Sequence, residues 1–274
     1  MAGELNVDLS GEIVAVTGGA GVLCSTMAGA LADAGAEVAV MDIAEEAAQA
    51  VCDRIEAEGG TALPFVCNVL IKDDLQEALE AIREKLGLPT ALINGAGGNR
   101  SAATTTEEQS FFDLPLEAVR GVFDLNFMGT FLACQVFGQA MAERQRGHVV
   151  NISSMNAFRP LTRIPAYSAA KSAVSNLTQW LAVHMNRNYS PELRVNAIAP
   201  GFFMTEQNRF LLTDEETGEL TPRGQTIIDH TPMDRFGDPE DLVGTLLWLL
   251  SDSSSFVNGI VVPVDGGFSA FSGV

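Results

Sequence analysis

Short apolar runs alternate with helix-length amphipathic segments along the whole chain, and this alternation limits the fold more than any other feature of the sequence. The runs are Ile13 to Thr17, Val38 to Asp42, Ala62 to Val66, Ala91 to Gly95, His148 to Ile152, Arg194 to Ala199 and Ile260 to Val264. None shows the polar–apolar alternation of a sheet with one wet face. Strands buried on both faces read this way, so the pattern predicts an α/β fold: a doubly wound, parallel, seven-stranded sheet with helices on both faces. Right-handed crossovers then put a ligand crevice at the carboxyl ends of the strands.

No linker-like stretch, change of composition or repeat divides the 274 residues, which predicts a single domain over 1–274. The largest interruption, about 201–236, is rich in Thr, Glu and Gly and precedes a helix predicted over Pro239 to Leu250. A connection that long is expected to be functional, here a mobile lid over a substrate. With 16 Lys and Arg against 35 Asp and Glu, the net charge of −19 repels phosphate backbones and anionic membrane faces. The expected partner is therefore a small molecule, with no nucleic acid and no membrane. Cys24, Cys52, Cys67 and Cys134 lack CxxC spacing and are expected to be reduced thiols. The N-terminus has no leader pattern, and no apolar run approaches membrane length, so a cytoplasmic location is expected.

The first strand runs into GGAGVLC, followed by a helix-like TMAGALADAG. Glycines at such a turn let backbone approach a pyrophosphate, which a helix N-terminus favours. Gly18, Gly21, Val22 and Leu23 are the candidate contacts. Asp42 ends the second strand at the spacing from which an acid can accept from the adenine-ribose hydroxyls of NAD, and it would repel the extra phosphate of NADP. No Lys or Arg occurs from Gly18 to Cys24 or from Val40 to Ala44, so NAD is the expected cofactor. Asn94, Ala96 and Gly97 close the fourth strand, where glycines leave room for a flat ligand and the Asn can tie strands together.

After the fifth strand, Tyr167 and Lys171 stand at i and i+4, on one face of a helix. An ammonium there is expected to lower the phenol pKa toward working pH and make it a usable acid or base. Ser154, at the end of the preceding strand, could hydrogen-bond a substrate carbonyl. His148, His184 and His230 show no ligand spacing, and no metal is expected.

With these residues in place, the chain resembles the short-chain dehydrogenase/reductases over essentially its full length. TGGAGVLC is similar to the family's TGxxxGxG, NGAG at Asn94 to Gly97 to its NNAG, YSAAK to its YxxxK, and PGFFMT at Pro200 to Thr205 to its PGxxxT. The resemblance implies a Rossmann-type domain and a catalytic tetrad of Asn126, Ser154, Tyr167 and Lys171. It adds Asn68, Val69, Pro200, Gly201 and Thr205, with Tyr167 and Lys171, to the cofactor contacts, and it implies a homotetramer. Within the family, GVLC, INGAGGN and SSMNAFRPLTRIPAYSAAK are similar to the D-mannonate oxidoreductase (fructuronate reductase) group. That similarity implies hydride exchange between NADH and a keto sugar acid. Gluconate 5-dehydrogenases and 3-oxoacyl reductases share the general motifs, and a dinucleotide-sensing protein is the non-enzymatic alternative. Val22 and Cys24 depart from the turn glycines; Cys24 is expected to lie at the turn and to tolerate glycine.

A sugar acid is an anion, so a local cation must offset the field of this acidic chain. Arg100, Arg159, Arg163 and Arg209 fall in segments that this fold brings to the crevice, and the planar fork of arginine suits a carboxylate. Asn99 and Asn156 are candidates for substrate hydroxyls.

Overall fold

The computed structural model describes residues 7–204, 209, 212–214 and 217–273. Seven parallel strands form one sheet in the order β3-β2-β1-β4-β5-β6-β7. They are β1 Ile13–Thr17, β2 Glu37–Asp42, β3 Thr61–Val66, β4 Ala91–Asn94, β5 Gly147–Ile152, β6 Leu193–Pro200 and β7 Val261–Val264. The order reverses between β1 and β4, and a crevice opens at such a switch point.

The helices are α1 Val22–Asp33, α2 Glu45–Ala57, α3 Lys72–Lys85, α4 Leu116–Phe123, α5 Gly129–Arg144, α6 Pro165–Asn188, α7 Pro222–Asp229 and α8 Val243–Leu250. In α3 the spacing is explicit: Leu75, Ala78, Leu79 and Ile82 recur on one face and are buried. Asp73 and Asp74 stand in its first turn and Arg83 and Lys85 in its last, complementing the helix dipole.

Because successive strand residues point to opposite faces, each strand feeds two cores. Val14, Val16, Val38 and Val40 join Met27, Leu31, Leu246 and Leu249 on one side. Ala15, Ala39, Met41 and Val149 join Leu75, Phe137 and Met141 on the other. Phe137 is 1 % exposed, and truncating it to Ala would cost about 3–5 kcal/mol through lost burial and the cavity left behind.

Two elements differ from the sequence reading in ways that affect the site. Val22 to Cys24 belong to α1 instead of the turn, because Gly21, extended at φ −68° and ψ 152°, serves as the N-cap and accepts from Ser25 N–H. The stretch Pro239 to Leu250 is a 3-10 turn, Pro239–Leu242, followed by α8; an Asp238–Asp241 capping box and a proline favour the tight entry. The 201–236 segment is not irregular throughout, since it contains α7, whose Thr221 side chain accepts from Gly224 N–H. No helix among the described residues is long and apolar enough to cross a membrane.

Candidate active site

The carboxyl ends of β1 and β4 meet through backbone. Gly95 and Ala96 N–H both donate to Thr17 Oγ1, at 3.2 and 3.3 Å. Gly18 has φ +62°, and a Cβ there would fall 2.7 Å from Ala96 Cα, so the approach requires glycine. Beside this junction lies a cleft of about 440 Å³. Of the residues read from the sequence, Gly18, Gly21, Val22, Leu23, Asp42, Asn68, Val69, Ala96 and Gly97 line it.

The Asp42 carboxylate is held by Ala20 and Ala44 N–H, each at 3.1 Å. Among the described residues no Lys or Arg lines the cleft. Sequence reasoning missed Ile43, which also lines it and is 69 % exposed, an apolar side chain placed for an adenine face. Its position directly after the acid was the available signal. Glycine turn, anchored acid and apolar wall together fit an adenine dinucleotide.

Among the described cofactor candidates, Asn94, Pro200 and Gly201, like Tyr167 and Lys171 described below, do not line this cleft. Asn94 does not line the cleft; it is 2 % exposed, and its Nδ2 donates to Asn151 Oδ1 at 2.8 Å, tying β4 to β5. Pro200 and Gly201 sit at the end of β6, outside this cleft. Thr205 lies outside the described residues.

Cys24 lines the same cleft, from the first turn of α1 directly after the glycine turn. It is buried, and a Cβ on Gly95 would land on its Sγ. Where the family's NNAG has a second asparagine, this chain has Gly95, and the thiol fills the space. Burial pushes Cys24 up to about 12, the Lys171 charge opposing and the Asp42 charge adding to the rise. The thiol is a packing group held in its neutral form, and this packing argues that Cys24→Gly would open a void and put glycine inside a helix.

The second half of the site stands on α6 and the end of β5. Pro165 occupies the first turn of α6, where it costs no hydrogen bond, and Tyr167 and Lys171 follow one turn apart. Lys171 Nζ lies 5.6 Å from the Tyr167 ring centroid and donates to Ile152 O at 2.7 Å. Lys171 is buried, and desolvation pulls its pKa down to about 8. Ser154 is the N-cap of a 3-10 turn, and its Oγ accepts from Asn156 N–H at 3.3 Å.

The expected lowering of the Tyr167 pKa is not what the surroundings produce. Burial pushes the phenol up from its ordinary value, and the hydrogen bond with Ser154 only partly opposes this. At neutral pH the phenol therefore keeps its proton.

Asn126 lies in a π-helical turn, Asp124–Met128, between α4 and α5. Such turns recur at functional sites because they break the regular hydrogen-bond ladder. Its Nδ2 donates to Gly98 O at 2.7 Å and Val122 O at 2.8 Å, while Oδ1 accepts from Gly98 N–H at 3.1 Å. Gly97 bridges the two halves: a Cβ there would sit 2.6 Å from Asn126 Oδ1 and 3.2 Å from Lys171 Nζ. Ser154, Tyr167, Lys171 and Asn126 thus converge where an acid, a hydrogen-bond donor and a buried ammonium can serve one carbonyl carbon.

The substrate candidates scatter. Asn156 is 5 % exposed; it bonds Ser154 Oγ through Nδ2 and accepts from Leu161 N–H, so it positions the serine loop. Arg159 Nε donates to Ser269 O at 3.2 Å and pins that loop to the C-terminal segment. Asn99 donates to Thr104 Oγ1. Arg100 lies over Gly121 of α4, whose added Cβ would meet its Nη1 at 3.1 Å. Arg209 is exposed, and Arg163 borders a separate pocket beyond β6. His148 lies within β5, where burial pushes it down to about 3. Among the described residues no group of His, Cys, Asp and Glu is arranged to hold a metal ion.

A family model described as enoyl-(acyl carrier protein) reductase matches residues 20–269. The chain belongs to the short-chain dehydrogenase/reductase family. It is 49 % identical to an uncharacterized oxidoreductase, UxuB, of Bacillus subtilis (strain 168), over 98 % of this chain and 99 % of that one. A crystal structure from Haemophilus influenza, provisionally named a D-mannonate oxidoreductase and holding NAD, is 46 % identical at TM-score 0.92, covering 98 % of this chain and 99 % of the other. A gluconate 5-dehydrogenase from Burkholderia cenocepacia, in complex with NADP and tartrate, is 29 % identical at TM-score 0.84, covering 97 % and 98 %. This dehydrogenase is an oxidoreductase of a family that uses nicotinamide dinucleotides.

Proposed function

We propose that this dehydrogenase uses NAD to interconvert a keto sugar acid and its hydroxy acid, D-fructuronate and D-mannonate. The observation that carries the reading is the convergence of Ser154, Tyr167, Lys171 and Asn126 beside a cleft that holds the acid Asp42 and, among the described residues, no Lys or Arg. The NAD held by the Haemophilus relative and its provisional name support the cofactor and the substrate respectively.

When bound, the nicotinamide supplies the hydride. Ser154 Oγ donates a hydrogen bond to the carbonyl oxygen, which gains charge as it becomes an alkoxide. Tyr167 delivers the proton; the burial that holds its pKa up keeps it in the acid form this direction needs. Lys171, most of it charged at neutral pH, would hold the nicotinamide ribose when the cofactor is bound, and it favours the phenolate that remains. Asn126, in contact with Gly98 beside that ammonium, carries the proton path toward water. In this reading α7, from the connection after β6, serves as a cover over the substrate.

The test is NADH oxidation with D-fructuronate, 5-keto-D-gluconate and a 3-oxoacyl thioester supplied in parallel. D-fructuronate is expected to give the highest kcat/KM. Preference for 5-keto-D-gluconate with NADPH would support the second reading, gluconate 5-dehydrogenase, which the Burkholderia relative favours. Binding of NADH without turnover of any carbonyl would support a sensor. We also propose a cytoplasmic homotetramer, supported by the half-exposed apolar edge strand β7; light scattering would check its mass.

A further inference from the structure

Beyond the end of β6 an open pocket of about 580 Å³ is bordered by two arginines from distant parts of the chain. Arg163 comes from the loop leading into α6 and Arg223 from the first turn of α7. The chain has only 16 Lys and Arg against 35 acids, yet no Asp or Glu among the described residues lines this pocket. Neither guanidinium takes part in an ion pair among the described residues.

The position of Arg223 adds a second, independent sign. A cation in the first turn of a helix meets the positive end of the dipole, and α7 has no acid in that turn to offset it. An anion placed between the two guanidinium groups relieves both conflicts. The wall also includes Phe202, Ile227, Phe268 and His230. His230 Nδ1 donates to Thr226 O at 2.8 Å, which leaves Nε2 of the neutral ring as an acceptor for a hydroxyl. Phe202 directly follows the Pro200–Gly201 end of β6, and Ile164, which caps α6, stands one helical turn from Tyr167. The pocket is therefore flanked by the segments that form the catalytic end.

We propose that Arg163 and Arg223 form an anion subsite that holds the carboxylate of an extended polyhydroxy acid while its keto carbon reaches Ser154 and Tyr167. The proposal rests on the keto sugar acid reading and supplies the cation that reading requires. Arg223 stands outside the four arginines singled out from the sequence.

The experiment compares D-fructuronate with its neutral methyl ester in wild type, Arg163→Ala, Arg223→Ala and Arg223→Lys. Losing a charge-assisted hydrogen bond predicts a rise in KM for the acid of about 10- to 100-fold in either alanine variant. For the ester the expected change is under about 2-fold, because no charge-assisted bond is lost. NADH affinity and melting temperature should stay at wild-type values, and lysine should recover part of the loss. Equal changes for acid and ester, or no change for either, would overturn the subsite. If wild type reduces neither compound, calorimetry with D-mannonate and the NADH-loaded protein decides separately. Binding by wild type that is lost in Arg223→Ala keeps the subsite and rejects the reaction, whereas equal binding, or none to wild type, rejects the subsite.

Discussion

The two halves of this site are built by different means. The cofactor cleft is made mostly of backbone: a positive-φ Gly18 against Ala96, Gly21 at the start of α1, and Asp42 fixed by two N–H groups. The far side depends on long side chains, Arg163 and Arg223, carried by a loop and a short helix. The first half recognises what every substrate pair of such an enzyme has in common, the dinucleotide, and can be rigid. The second, in the proposal made above, would select among substrates, and it is assembled from parts that are cheap to change.

The largest test of this contrast removes the chemistry and leaves the cradle. Tyr167→Phe deletes the positioned acid and should lower kcat by about 100- to 10,000-fold, with NADH affinity, followed by fluorescence titration, within about twofold of wild type. A matching loss of NADH affinity would mean that the two halves are not separable.

Next in size is the packing of the cradle itself. Gly95→Asn places a side chain on Cys24 Sγ and should cost about 1–3 kcal/mol in urea unfolding. Cys24→Gly alone should cost about 1–3 kcal/mol through the void and the helix glycine. The double variant should recover much of the sum, since the asparagine then occupies the vacated space. Strict additivity would show that the two positions do not compete for it.

Asp42→Ala should lower kcat/KM for NADH about tenfold, the loss of a charged acceptor, and raise the relative rate with NADPH. An unchanged NADH-to-NADPH ratio would remove Asp42 from cofactor choice.

The smallest effect is a pH dependence. The Lys171 pKa falls from 10.5 to about 8 on folding because its charge is buried, so between these values the unfolded chain binds the extra proton. Stability then rises with pH across that window, and below about pH 8 the burial penalty is fully present. Melting of wild type against Lys171→Met should show the wild type gaining relative stability from pH 7.5 to 9.5. A constant difference would place the ammonium in contact with water.

The fold was legible because its signals are local. Apolar runs buried on both faces mark the strands, and the i, i+4 spacing of Tyr167 and Lys171 is fixed within one helix. Asp42 could be located for the same reason, since a strand end follows from the run that precedes it. For Asn156 the sequence could not reach the bonds to Ser154 and Leu161, because an amide near a serine reads equally as a substrate contact or a loop brace. Asn94 offered both readings, and its hydrogen bond to Asn151 exists only once β4 and β5 are paired.

What the sequence determined by itself, then, is the order of elements and the chemical types at the strand ends, because both depend on residues a few positions apart. Only the tertiary structure decided which side chains share a space. The thiol of Cys24 fills the place over Gly95, Gly97 lets Asn126 approach Lys171, and Arg163 and Arg223 border one pocket. The direction of the Tyr167 pKa belongs to the same class: the i, i+4 lysine argues for lowering, but desolvation is a property of everything packed around the ring, and here burial outweighs the hydrogen bond with Ser154.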